Sequence, residues 1–490
     1  MQAWPAHPSI YEINTWVWLA ELGPGVTLAD VPANAWDDIA ALGFDAVWLM
    51  GVWQRSPAGI AVANRNAGLL QDFRRALPDF RPEDNVGSPY CVRDYSVDPR
   101  LGGRAGLAEA RAALARRGLR LVLDFVPNHV APDHWWASSH PDYFVRGTPQ
   151  DAERDPASFL AVGANVYANG RDPYFPAWPD VLQLNAFSAG LRAAAIDTVR
   201  DIASQCDGVR CDMAMLMLNQ VFERTWAGRA GVAPETDYWR ELIPAVRAEH
   251  PDFRFIAEAY WDLEWELQQQ GFDFCYDKRL YDRLEHGDPE ALREHLCADL
   301  AYQRKLLRFI ENHDEPRAAA TFAPDQARAA AVLAFTQCGA RLVHEGQMEG
   351  RKVRLPVFLG RRPAEAPDEA LRAFYRHLLQ ASAANLFHAG EWQLCERIGW
   401  PDNASYERIV AWCWRLGEER ALLAVNLADT PSQGQVKLPW DELAGATWGL
   451  DDELAGTTFE REGNTMRNPG LYIALQAWGC HFLRLRRAGS

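Results

Sequence analysis

Eight short apolar runs, separated by stretches of helical spacing, constrain this chain more than any other feature. They cover residues 9–14, 46–51, 119–126, 208–213, 253–258, 272–276, 307–311 and 341–345. Between them, segments such as 104–117, 188–204, 237–250, 289–300 and 326–337 repeat Ala, Leu and Arg at amphipathic helical intervals. Strand–helix alternation implies a parallel sheet, and eight units imply a closed (β/α)8 TIM-type barrel rather than an open one. No Gly-x-Gly-x-x-Gly follows the first run, which argues against a dinucleotide fold.

Two connections exceed simple barrel loops: 52–99 after the second strand and 130–185 after the third. The latter is rich in Pro, Asp and aromatics, including His134-Trp135-Trp136 and Tyr174-Phe175-Pro176-Ala177-Trp178. Long loops in a barrel gather at the face where the strands end. After about residue 385 the pattern changes to short strands at 391–398, 407–416, 420–427, 433–438 and 471–485. The expected organisation is α/β: a barrel over 1–129 and 186–385, an inserted loop-rich domain over 130–185, and a C-terminal antiparallel β-sandwich over 386–490.

Composition excludes several classes of partner. Fifty Lys and Arg face 66 Asp and Glu, for a net charge of −16. Nucleic acid and anionic membrane surfaces need clustered cations, so neither is expected. No apolar run approaches the ~18 residues of a membrane span. Nine cysteines, odd in number and without a Cys-x-x-Cys pair, suggest neither a disulfide framework nor structural zinc. The N-terminal stretch has no basic region or apolar signal core, so a reducing cytoplasm is the expected location. Twenty tryptophans admit two readings: a large aromatic core, or a cleft whose indole faces stack on sugar rings.

Four of the apolar runs end in acids. They are Asp124-Phe125-Val126-Pro127-Asn128-His129, Arg210-Cys211-Asp212, Ala257-Glu258, and Glu311-Asn312-His313-Asp314-Glu315-Pro316-Arg317. A charge directly after a buried strand needs a partner or a purpose. One alone could be a structural ion pair; four on different barrel strands converge on one mouth. Convergent carboxylates with Arg, His and aromatic loops suit cleavage of glycosidic bonds, where one carboxylate attacks and another serves as acid and then base. Arg210 and Asp212 are two apart and share a strand face, so the guanidinium can hold the carboxylate ionised. Cys211 should point the other way. Glu258 sits between alanines and before Tyr260-Trp261, a setting that would raise its proton affinity.

These four segments resemble the signature regions of the α-amylase family of retaining α-glycosidases and transglycosidases. The resemblance implies Asp212 as nucleophile, Glu258 as general acid/base and Asp314 as the acid that stabilises the transition state. It implies that His129 and His313 bind sugar hydroxyls, that Arg210 supports the nucleophile, and that Asp124 and Asn128 organise the site. Tyr90, in Gly87-Ser88-Pro89-Tyr90-Cys91, resembles the tyrosine that stacks on the cleaved sugar, although Cys91 stands where Asp is common. Glu311 and Glu315 are rivals of Asp314.

Departures from the family matter. Met215-Leu216 replace the frequent Lys-His, and Val181-Leu182-Gln183-Leu184-Asn185 carries neutral Gln183 where an acid is usual. The first loop lacks an Asp-x-Asp-x-Asp-Gly motif. Two usual calcium ligands are thus missing, and neither metal nor cofactor is expected. Met213, Met215 and Met217 read as core packing, with an apolar acceptor-side wall as the alternative. His344-Glu345 reads either as a structural pair or as pocket lining. The expected function is hydrolysis of α-glucans, maltooligosaccharides or small α-glucosides through a glycosyl-Asp212 ester. Transfer to a sugar or phosphate acceptor is the alternative, and a non-catalytic binding subunit the remote one.

Overall fold

The structure is a computed structural model and describes residues 3–488, so Met1, Gln2, Gly489 and Ser490 lie outside the described residues. Eight parallel strands close a barrel: β1 Ser9–Asn14, β2 Ala46–Met50, β3 Arg120–Phe125, β4 Gly208–Cys211, β5 Arg254–Ala257, β6 Phe274–Tyr276, β7 Leu306–Arg308 and β8 Ala340–His344. Each strand pairs with its neighbours in sequence, and β1 closes on β8 from Ser9↔Arg341 to Glu12↔His344.

Side-chain alternation explains both the closure and the site. Ile10, Trp48, Val122, Ile256, Phe274, Leu307 and Leu342 fill the barrel interior, while Tyr11, Val47, Leu121, Val209 and Phe255 pack outward in the core that includes the helices. Both faces are apolar, as a sheet covered on both sides requires. Moving two residues along the inner face changes its character: Ile10 gives way to Glu12, Val122 to Asp124, and Ile256 to Glu258. The interior therefore has an apolar floor and a charged mouth, set by period-two geometry alone.

Several strands end earlier than the apolar runs suggest. β4 stops at Cys211, β5 at Ala257 and β7 at Arg308, not at Met213, Glu258 and Glu311. The acids themselves leave the ladder. Asp212 N–H still donates to Phe125 O (2.8 Å) and Glu258 N–H to Cys211 O (3.1 Å), so each hangs from one last inter-strand bond.

The loop after β3 builds two short ladders, His129–Val130 with Leu182–Gln183 and Phe159–Val162 with Asn165–Ala168. Val130, Phe144, Tyr167, Leu182 and Leu184 form its own small core. The loop after β2 carries two helices and a strand pair, Trp53–Arg55 with Val92–Val97.

The C-terminal strands are β9 Glu391–Leu394, β10 Glu396–Ile398, β11 Ile409–Leu416, β12 Glu419–Asn426, β13 Ser432–Lys437, β14 Thr447–Asp452, β15 Thr457–Glu462, β16 Leu471–Leu475 and β17 Cys480–Arg487. A six-stranded sheet runs β9-β11-β12-β17-β14-β15 and a three-stranded sheet β10-β13-β16. The runs 391–398 and 471–485 each divide between the two sheets. The hairpin β14–β15 has no apolar alternation on its exposed edge strand, and so it left no signal in the sequence.

β11 joins the two halves. Its Ile409, Ala411 and Cys413 face the sandwich core, while Val410, Trp412 and Trp414 face the barrel core. Both indole N–H groups donate to Thr336 O, at 3.0 and 2.8 Å, just past the helix Pro324–Phe335. For Trp36, Trp48, Trp53, Trp239, Trp412 and Trp414, the aromatic-core reading is the right one.

Candidate active site

A cavity of about 340 Å3 opens at the mouth of the barrel. Asp212, Glu258 and Asp314 line it, together with Tyr90 and His129. Arg210 lies beneath, fully buried, and ties two of the acids together. Its Nη1 is 2.7 Å from Asp212 Oδ1, and its Nη2 is 2.8 Å from Glu258 Oε2. Trp48, Tyr90 and Tyr276 surround the guanidinium with ring centroids 5.2–5.7 Å away. That aromatic cage fixes the cation and so fixes the two carboxylates relative to each other.

Met213 turns the chain after Asp212. Its backbone is left-handed, with φ 42° and ψ 47°, a conformation that costs energy outside glycine. The turn aims its N–H at Glu258 Oε2 (2.5 Å), while Tyr260 OH donates to Glu258 Oε1 (3.1 Å). Met213 packs against the core as expected and also lines the cavity. Met215 and Met217 are buried in the core as expected. Cys211 also packs outward in that core.

The third acid has a different environment. Asp314 Oδ2 is 2.9 Å from His313 Nε2, and Tyr90 OH is 2.6 Å from the same nitrogen. His313 Nδ1 in turn meets Glu12 on β1. Burial opposes charge on His313, but Asp314 and Glu12 outweigh it and hold the ring protonated well above its ordinary range. Burial would raise Asp314 too, yet the His313 and Arg210 charges bring it to about 2. Asp212 is pushed up to about 6 by burial, against Arg210, and Glu258 to about 7 by burial with the other acids adding. Three carboxyls in one cavity thus hold protons with different strengths, which divides acid and base roles between them.

The remaining sequence candidates fall behind this surface. Asp124 accepts from Gly51 N–H (3.1 Å) and stands 4.0 Å from Arg210. Asp124, Asn128, Arg210 and His313 support the wall but do not line the cavity. Glu311 is engaged by Arg317, His344 and the Ala318 amide, and Glu315 by Lys278, so Asp314 alone of that cluster faces the cavity. His344 and Glu345 belong to this ion-pair layer, Glu345 meeting Arg362, and the structural reading of the pair holds. Sequence reasoning missed Glu12, whose acid inside an apolar run was the available signal. It also missed Trp178, Asp180, Tyr260 and Phe358 as lining residues.

The family model of the α-amylase catalytic domain matches residues 34–355. The chain belongs to the α-amylase family. The α-amylase MalA of Haloarcula japonica is 24% identical over 444 residues, covering 88% of this chain and 57% of that protein. An α-1,4-glucan:maltose-1-phosphate maltosyltransferase of Burkholderia pseudomallei is 25% identical over 266 residues, 50% of this chain and 19% of that protein. The chain thus spans only part of the curated relatives it matches. A maltogenic α-amylase, AmyB from Thermotoga neapolitana, shares the fold over 98% of both chains with a TM-score of 0.69 and 19% identity.

The usual α-amylase calcium position can be tested against the residues present. The Gln183 side-chain NH2 donates to Asn128 O (3.0 Å), Asn128 Oδ1 (2.9 Å) and Leu184 O (2.9 Å). These three oxygens share the two N–H hydrogens of one neutral amide, which stands where a hard cation would need further oxygen ligands. These residues do not fit calcium. The expected outcome is that excess EDTA leaves activity and thermal midpoint unchanged, measured by reducing-sugar release and by circular dichroism. A fall in either that added calcium restores would contradict this.

Proposed function

We propose that this α-amylase-family chain is a retaining hydrolase of α-glucosidic bonds in maltooligosaccharides or related α-glucosides. The observation that carries the reading is Arg210 bridging Asp212 and Glu258 on one cavity wall while burial holds their proton affinities at about 6 and 7. At neutral pH the lower-affinity carboxylate is ionised and free to attack, and the other still carries a proton to give.

In the first step an Asp212 oxygen bonds to the anomeric carbon as the glycosidic C–O bond breaks. Glu258 passes its proton to the departing oxygen. In the second step Glu258 removes a proton from water, the water oxygen bonds to the anomeric carbon, and the ester to Asp212 breaks. Two displacements retain the configuration. Asp314, ionised at all working pH values, faces the positive charge that develops on the ring. Tyr90, anchored by His313, offers its ring to the sugar.

The acceptor is water in this reading. No lysine or arginine lines the cavity among the described residues, and burial lowers His129 to about 4, so it is neutral at working pH. Phosphate would meet carboxylates there, which disfavours phosphorolysis. A sugar acceptor is the second reading. Tyr260 and Trp261 follow the acid directly, and Trp261 meets Tyr174 edge-on with centroids 4.8 Å apart, an apolar platform that could hold a sugar.

Maltotriose digestion separates these readings. Glucose and maltose alone, with α-anomers formed first, are the expected products by chromatography and NMR. Oligomers longer than the substrate would replace hydrolysis by transfer. A glucose phosphate formed only with added phosphate would overturn the charge argument. A reducing cytoplasm is proposed as the location, in keeping with nine free thiols, most of them buried.

A further inference from the structure

One carboxylate in the cavity wall has no role in the chemistry above. Asp180 is 7% exposed and lines the same cavity as the three acids. Among the described residues no side chain donates to it and no cation pairs with it. Its own backbone N–H is its only donor, and burial pushes it up to about 6. Asp212 and Glu258 have Arg210, and Asp314 has His313. Asp180 is the acid left unmatched.

The segment that carries it is held firmly. Cys91 S–H donates to Asp180 O (3.1 Å), and Cys91, Ala131 and Val181 form a small apolar cluster with Trp178 against it. Trp178 N–H donates to Gly170 O (2.7 Å). A Cβ on Gly170 would come within 2.8–3.2 Å of Val181, His129 and Trp178, so glycine is what lets this loop close down. Trp178 also lines the cavity, with its ring 5.1 Å from His129. An indole face beside a rigid, unpartnered carboxylate is a surface built to receive something.

We propose that Trp178 and Asp180 form a sugar subsite in the cleft, in which the indole packs on the C–H face of a pyranose and the carboxylate accepts from two adjacent ring hydroxyls. This rests on the glucan reading of the site. A buried anion without a counter-charge gains most from hydroxyl donors, and two vicinal ones match its two oxygens. A hydrogen bond to a charged group is worth about 1.5–3 kcal/mol, equivalent to roughly 10- to 100-fold in affinity.

The test uses the full chain with Asp180→Asn and Trp178→Ala, measuring maltotriose kinetics and, separately, maltotriose binding by tryptophan fluorescence and calorimetry. Each variant is expected to raise KM and the dissociation constant about 10- to 100-fold, with kcat within roughly threefold. The Asp180 carboxyl binds its proton more tightly folded than unfolded, so its contribution to stability is present below about pH 4 and lost as pH rises through 6. Asp180→Asn should therefore keep or raise the thermal midpoint at pH 8. A lowered midpoint would mean a structural role and overturn the subsite, as would unchanged KM and binding in Asp180→Asn. If wild type binds maltotriose without cleaving it and Asp180→Asn weakens that binding, the subsite stands and the hydrolase reading falls. Wild type that neither binds nor cleaves maltotriose overturns both.

Discussion

Asp212→Asn is expected to leave a folded protein that cleaves maltooligosaccharides at least about 10,000-fold more slowly. The amide keeps the volume and can still accept from Arg210, but it cannot form the ester on which both steps depend. Removing a nucleophile that works as part of a unit costs at least this much, or about 5.5 kcal/mol of barrier. Arg210 keeps Glu258 as a partner, so the buried cation is not left alone. Reducing-sugar release measures the rate, and near-UV circular dichroism checks the fold. Activity within tenfold of wild type would remove Asp212 from its role. A wild type that is equally inert would support the binding-subunit alternative.

Glu258 gives the second large effect, with a signature of its own. Glu258→Ala should slow oligosaccharide cleavage by about 100- to 10,000-fold, the range of general acid–base catalysis. An α-glycosyl fluoride needs no proton to leave, so its first step should be nearly spared. Azide, which needs no base, should then displace Asp212 from the ester and give an α-glycosyl azide, identified by mass spectrometry. The pH profile carries the sign. Asp212 must be ionised, so wild-type kcat/KM should fall as pH drops through about 6. Glu258 must be protonated, so it should also fall as pH rises through about 7. In the alanine variant acting on the fluoride, the alkaline limb should vanish and the acid limb remain. Persistence of the alkaline limb would assign that proton to another group.

The barrel was legible because both of its faces are apolar and each strand is closed off by a polar cluster. The three acids were legible because a carboxyl stands out against an apolar run: Asp212 follows β4, Glu258 follows Phe255-Ile256-Ala257, and Asp314 lies shortly beyond Phe309-Ile310. Glu12 obeys the same rule but lies within its strand, Ser9–Asn14, not at its end, and so it was passed over. The wall formed by Trp178, Asp180 and Phe358 depends on how long loops fold back over the barrel, and no local period encodes that. Phe358 arrives from the segment after β8, which packs through Leu359 on Phe73 and Leu77 of the loop after β2. The split of 391–398 between two sheets was likewise invisible, since both halves carry strand-like composition.

The strand that points Trp412 and Trp414 into the barrel also limits how the molecule can be taken apart. Two indoles share a single acceptor, Thr336 O, with Phe387 packed on Trp414 beside them. Cutting the chain at the foot of the sandwich would strip this greasy seam and leave the end of a barrel helix without its donors. A shortened barrel would be prone to self-association. The C-terminal part therefore acts less as a detachable accessory than as the lid that keeps the underside of the catalytic half dry.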